Sequence, residues 1–208
     1  MELTKLTLPQ FSDQTAADVA VPGGGCVAAL SANLGASLVE MVGLMTERKA
    51  KKQGVETDAD VQEAMKITKH ARDEFLKLID KDAAAFDGCM QAFALPKGTE
   101  EEKAKRVAAI QESYKNAVKP PFTVAKHAME MIKYARTMVE KGDQNALSDA
   151  CVAVRMLNAA AWGGIYNVKI NLSAIKDEQF VAEKTAEIQA IEKELEELTH
   201  SILDKVTF

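Results

Sequence analysis

The chain has 208 residues, of which 47% are apolar and 27% charged, with 11 Gly and 5 Pro. At roughly 100–200 residues per domain this length favours a single domain, and the composition excludes a disordered chain. Lys and Arg number 26 against 31 Asp and Glu, a formal charge of −5, which argues against non-specific binding to nucleic acid or to an anionic membrane.

Helical spacing runs through nearly every segment, and no alternating strand pattern competes with it. Thr7 with Gln10 makes a capping box that opens a short helix containing Phe11. Gly23-Gly24-Gly25 then breaks the chain and delivers it into an Ala-rich helix carrying Leu30, Leu34, Leu38, Met41 and Met45. Residues 27–45 are long enough to span a membrane, but Ser31, Asn33, Ser37 and Glu40 among small residues point to a buried helix of a soluble protein. The basic run from Arg48 to Gly54 is expected to end it. A long helix follows from Thr57 or Asp58 to about Phe93, stopped by Leu95-Pro96. Its apolar stripe reads Val61, Ala64, Ile67, Ala71, Phe75, Leu78, Ile79, Phe86, Met90, Phe93.

Thr99 with Glu102 is a second capping box, and Pro120-Pro121 is expected to separate the helix it opens from the next, which Gly142 stops. A helix starting at Asn145 to Ser148 is apolar almost all round between Ala150 and Ile165, the mark of a central or interface helix. The last helix, from about Ala174 to Lys205, carries Ile188, Ile191, Leu195, Leu198 and Ile202 as a packing seam. The expected fold is a single all-α domain, residues 1–208, of about seven helices. The all-round apolar helix and the C-terminal seam present more apolar surface than one small bundle covers, so a homodimer is expected.

Asp82 is the most informative residue. It occupies the apolar stripe between Ile79 and Phe86, at a position that calls for Leu, whereas Asp80 is about 200° around the helix beside Lys77 and Lys81 and should face out. A carboxylate on a buried stripe is desolvated, which raises its pKa and suits general acid–base catalysis. The alternative is a structural carboxylate paired with Arg72, Arg136 or Arg155, or capping a neighbouring helix. Gly23, Gly24 and Gly25 before a helix can form an anion-binding nest or merely a tight turn between crowded helices. Asn145, Ser148 and Asp149 sit at the start of the apolar helix, and Asn167 and Asn171 one turn apart near its end. The two amides share a face that can read a heterocycle, while capping is the simpler account of both groups. Cys26 at a helix start has the setting for a lowered pKa, but it has no patterned base and reads as a small packing residue. Cys89 and Cys151 add no CxxC, and His70, His127 and His200 form no ligand pattern, so no metal site is expected. The N-terminus shows no signal peptide, and a cytoplasmic protein is expected.

Five segments occur in a recognisable order: Val21-Pro-Gly-Gly-Gly-Cys-Val-Ala-Ala29, Asp82-Ala-Ala-Ala-Phe86, Leu95-Pro-Lys-Gly-Thr99, Asn145-Ala-Leu-Ser-Asp149 and Asn167-Val-Lys-Ile-Asn171. Through them the chain resembles the cyclodeaminase/cyclohydrolase family of folate enzymes over almost its whole length. The resemblance implies an all-helical homodimer acting on the one-carbon unit of a tetrahydrofolate derivative, with no tightly bound cofactor. It implies that Asp82 is the catalytic residue. It also implies that Gly23, Gly24, Gly25, Asn145, Ser148, Asp149, Asn167 and Asn171 line the folate site. No transferase-like half accompanies these motifs, so functional coupling to a separate formimidoyltransferase is expected. Formimidoyltetrahydrofolate cyclodeaminase is the leading expectation and methenyltetrahydrofolate cyclohydrolase the alternative, with a non-catalytic helical module as a distant third.

Overall fold

The computed structural model describes residues 2–207, and every regular element among them is helical. α1 spans Leu8–Ala16, α2 Gly24–Gln53, α3 Ala59–Phe93, α4 Glu100–Lys141, α5 Leu147–Leu172 and α6 Glu178–Leu203, with single 3-10 turns at Leu3–Lys5 and Gln144–Ala146. Local chemistry sets most of these boundaries. At Thr7 and at Thr99 the hydroxyl accepts from the backbone N–H of Gln10 or Glu102, whose side chain accepts the threonine N–H in return. The Asp58 carboxylate accepts the Asp60 N–H at 2.9 Å and opens α3. Gly54, at φ 69°, ends α2 in the left-handed region that favours glycine. The basic run ends α2 as expected, with Lys51 and Lys52 in its last turn, where cations suit the negative end of the helix dipole.

Two expectations about elements change. Pro120 and Pro121 do not separate two helices: α4 runs through both, which leaves six α-helices where about seven were expected. A proline inside a helix strips the carbonyl four residues earlier of its donor. For Pro121 that carbonyl belongs to Ala117, and the Asn171 side chain of α5 donates to it at 3.1 Å. Both prolines are themselves buried. The last helix begins at Glu178 rather than near Ala174, because Asp177 caps it by accepting the Phe180 N–H at 3.1 Å.

The body of the molecule is α2, α3, α4 and α5, with α5 lying along both α2 and α4, and α3 along both α2 and α4. Small residues let these axes approach. Ala28, Ala29, Ala32 and Ala36 of α2 are buried, as are Ala153, Ala160 and Ala161 of α5. α2 and α5 are antiparallel: Gly24 lies beside Asn167 at one end, and Thr46 accepts the Asp143 N–H at 2.8 Å at the other. By length and hydropathy α2 would cross a membrane, but half of its most apolar stretch is buried inside the bundle. The C-terminal seam is also satisfied internally, since Ile188, Ile191, Leu195 and Ile202 are buried where α6 packs on α4 and α5. It is therefore not the spare apolar surface that was expected.

Asp80 does not simply face out. It is half-buried and accepts from the Leu3 N–H at 2.7 Å and the Thr4 hydroxyl at 2.8 Å, which pins the N-terminal segment onto α3.

Candidate active site

The apolar stripe of α3 has two fates. Val61, Ala64, Phe75, Leu78 and Ile79 enter the core, whereas Phe86, Met90 and Phe93 beyond Asp82 remain partly exposed because they face a cleft. That cleft has a volume of about 420 Å³ and is of the size that holds a small-molecule ligand. One wall is apolar and aromatic, formed by Phe86, Met90 and Phe93 of α3, Tyr114 and Ala117 of α4, and Ile170 of α5. The Phe93 and Tyr114 rings meet edge to face, with centroids 6.1 Å apart. The polar end gathers Asp82, the Gly23–Gly25 turn, Asn167 and Asn171 from three separate helices.

Asp82 sits hard against the start of α2. A Cβ built on Gly25 would lie 2.4 Å from Asp82 Oδ1 and 2.5 Å from Oδ2, so glycine is required there by close approach. The Cys26 thiol donates to Asp82 Oδ2 at 3.2 Å, and its sulfur lies 3.5 Å from the Ile79 carbonyl. Burial raises the Asp82 pKa above the usual carboxylate range, against the smaller opposing pull of the Cys26 thiol and amide. None of the arginines considered as partners reaches it among the described residues. Arg72 pairs with Glu40, Arg136 with Glu140 at 2.7 Å, and no carboxylate pairs with Arg155. The carboxyl group is thus desolvated without a counter-ion, a setting that suits a general acid–base group.

Cys26 is buried as a packing residue would be and is not the reactive thiol that its helix-start setting allows. Fully buried and beside a carboxylate, it is pushed up to about 12, so at neutral pH it is a thiol and a donor, not a nucleophile.

Asn167 and Asn171 both reach the cleft, each with part of its amide already used. Asn167 donates to the Gly163 carbonyl at 2.8 Å and Asn171 to that of Ala117, which leaves their side-chain oxygens as the acceptors a ligand can meet. Asn145, Ser148 and Asp149 are not brought to this cleft within the chain. Asp149 is in the first turn of α5, about 27 Å along the helix from Asn167. Asn145 is exposed and donates to Asp143 at 3.2 Å through both its backbone and its side chain. Motifs that follow one another in sequence are separated here by the length of one helix. Sequence reasoning also missed the aromatic wall. Phe86 and Phe93 carried a usable signal, lying on the same helical face as Asp82, whereas Tyr114 carried none. No cluster of three or more His, Cys, Asp or Glu side chains able to hold a metal occurs among the described residues.

Asp82 thus stands at the polar end of an aromatic-lined cleft in a helical bundle, an arrangement compatible with acid–base chemistry on a bound small molecule. Residues 7–190 match the family model described as formiminotransferase-cyclodeaminase. Methenyltetrahydrofolate cyclohydrolase of Methylorubrum extorquens is 36% identical over 96% of this chain and 95% of its own length. Formimidoyltransferase-cyclodeaminase of Gallus gallus is 39% identical over 86% of this chain, but the match spans only 32% of that protein. A solved structure, formiminotetrahydrofolate cyclodeaminase from Thermotoga maritima, superposes with a TM-score of 0.80 at 25% identity, covering 98% of both chains. The chain belongs to the formiminotransferase-cyclodeaminase family, and it is an enzyme rather than a non-catalytic helical module.

Proposed function

We propose that this protein is a formimidoyltetrahydrofolate cyclodeaminase, which closes 5-formimidoyltetrahydrofolate to 5,10-methenyltetrahydrofolate and releases ammonia. The observation that carries the reading is Asp82: one desolvated carboxyl group, with its pKa raised, at the end of an otherwise uncharged cleft. The substrate's N10 attacks the carbon of the protonated formimidoyl group, an amidinium N5–CH=NH2+, and the Asp82 carboxylate accepts the N10 proton. The tetrahedral adduct then loses its amino group, and the same carboxyl group returns that proton so that ammonia leaves as a neutral molecule. A raised pKa serves both halves, making the carboxylate a stronger base and the acid ready to form. Once ionised again, Asp82 lies beside the methenyl cation and stabilises it. The aromatic wall offers rings for the pterin to lie against, and the side-chain oxygens of Asn167 and Asn171 can accept from its N–H groups.

A second reading, methenyltetrahydrofolate cyclohydrolase, is supported by the end-to-end match to the Methylorubrum protein. Water would then attack the same carbon, with Asp82 taking its proton. Purified protein offered each folate separately distinguishes the two. Methenyl absorbance rising with stoichiometric ammonia from the 5-formimidoyl compound supports the deaminase. Loss of methenyl absorbance well above the spontaneous rate, with no turnover of the formimidoyl compound, replaces it with the hydrolase. The deaminase reading also calls for an enzyme that loads the formimidoyl group, consistent with coupling to a formimidoyltransferase.

The working unit we infer is a homodimer formed across the outer faces of α2 and α5. Val27, Leu34, Met41 and Leu44 of α2 are exposed at coiled-coil spacing, and Val152 and Tyr166 continue the patch on α5. Because α2 and α5 are antiparallel, a two-fold axis across the middle of α2 would carry the partner's Asn145, the partner's Ser148 and the partner's Asp149 toward this protomer's glycine turn. The expected lining role of these residues then falls to the second subunit.

A further inference from the structure

Cys26 is fully buried behind the cleft, and its one hydrogen has two acceptors within reach: Asp82 Oδ2 at 3.2 Å and the Ile79 carbonyl at 3.5 Å. We propose that Cys26 is a positioning residue for Asp82, its thiol hydrogen turning toward the carboxylate when Asp82 is charged and toward the Ile79 carbonyl when Asp82 is neutral. The S–H bond never breaks; only its direction changes. The inference rests on the reading of Asp82 as the acid–base group.

The geometry explains why a weak donor suits this position. Gly25 leaves no room on its side of the carboxylate, so Asp82 is held between the glycine backbone and the thiol. A hydroxyl there would donate more strongly and shift the balance toward charged Asp82. An apolar side chain would leave only the residue-26 amide to answer the charged form. A thiol, held un-ionised by burial, gives a bond weak enough to be exchanged as the charge on Asp82 comes and goes. Other titratable groups near Asp82 are few. α2 presents only Cys26, α4 presents the Tyr114 phenol across the cleft, and α5 presents only the amides of Asn167 and Asn171. On α3 itself Cys89 lines the same cleft roughly two turns on, and Asp80 is tied to Leu3 and Thr4.

Cys26→Ser and Cys26→Ala test this in the full-length protein, with folding checked by circular dichroism and melting. The carbon-13 resonance of the Asp82 carboxyl group is titrated by NMR in wild type and both variants, a reading that needs no turnover. The Asp82 titration is expected to move to lower pH in the serine variant and to higher pH in the alanine variant. In the deaminase assay the limb of the pH–rate profile that rises with Asp82 ionisation follows in the same opposite directions. At a pH below that limb, rates normalised to each plateau should favour serine over alanine by about threefold or more. An Asp82 titration that stays put in both variants, or a uniform loss of kcat with an unmoved limb, overturns the proposal. If the alanine variant fails to fold, serine against wild type decides, because serine keeps the shape. Opposite NMR shifts in a protein that turns over neither folate would uphold the Cys26–Asp82 coupling and sink the functional reading instead.

Discussion

At the scale of single residues, the carboxylate proposed as the acid–base group, Asp82, is placed where it costs stability. Its folded-state pKa lies above the unfolded value, so between the two the folded chain binds more protons than the unfolded one. Stability from this group therefore falls as pH rises through that window, and the burial penalty is fully present above the folded pKa. Asp82→Asn keeps the shape and removes the charge. It is expected to lower turnover by about 10²-fold or more, the scale of a lost general acid–base group, while folate still binds in calorimetry. The same variant is expected to melt about 2–4 °C higher at pH 7–8, with the gain vanishing in acid. An unchanged melting point at neutral pH would mean that the carboxylate is better solvated than its burial implies. Asp80→Asn is not a silent control, because Asp80 holds Leu3 and Thr4; its expected effect is loosening of the N-terminal segment rather than loss of chemistry.

At the scale of elements, the continuity of α4 depends on another helix. Pro121 takes away a donor and Asn171 supplies one, so an amide expected either to cap its own helix or to line the ligand site repairs the helix opposite. Asn171→Ala leaves the Ala117 carbonyl buried and unpaired, an expected loss of about 1–3 kcal/mol in chemical unfolding. In a Pro121→Ala background the backbone N–H of residue 121 can fill that carbonyl. The same Asn171→Ala change should then cost much less, and equal losses in both backgrounds would show that the two residues are not coupled. The pairing also ties the α4 wall of the cleft to its polar end, so the candidate site and the continuity of α4 share one hydrogen bond.

At the scale of the whole molecule, the proposed dimer rests on the outer faces of α2 and α5. Leu34, Met41 and Leu44 are all exposed on α2, and clustered exposed apolar side chains mark an interaction surface. Light scattering at micromolar concentration is expected to give twice the chain mass. Leu34→Glu together with Met41→Glu should yield a monomer that keeps its helical circular dichroism and loses turnover, because the second subunit's α5 no longer reaches the site. A wild-type monomer with full activity would remove both the dimer and the shared site.

The sequence by itself determined the helices, because their signals are local. Capping boxes at Thr7 and Thr99, the stop at Gly54 and the 3,4 spacing of apolar residues act within a turn or two of the chain. It also determined that Asp82 is out of place, since the stripe from Phe75 to Phe93 gives the helical phase without knowing what the stripe faces. Only the tertiary structure decided what that face meets: core up to Ile79, then an open cleft, with Gly25 and Cys26 closing on the carboxylate. The same limit accounts for Pro120 and Pro121, which read as a break until Asn171, 50 residues on from Pro121 (171 − 121), is seen to supply the missing donor. It accounts too for Asn145, Ser148 and Asp149, whose place in the chain says nothing of the helix length that carries them away from Asp82. Backbone periodicity is set by neighbours in sequence, whereas burial, pKa and the partners of a polar group are set by whichever helix packs opposite.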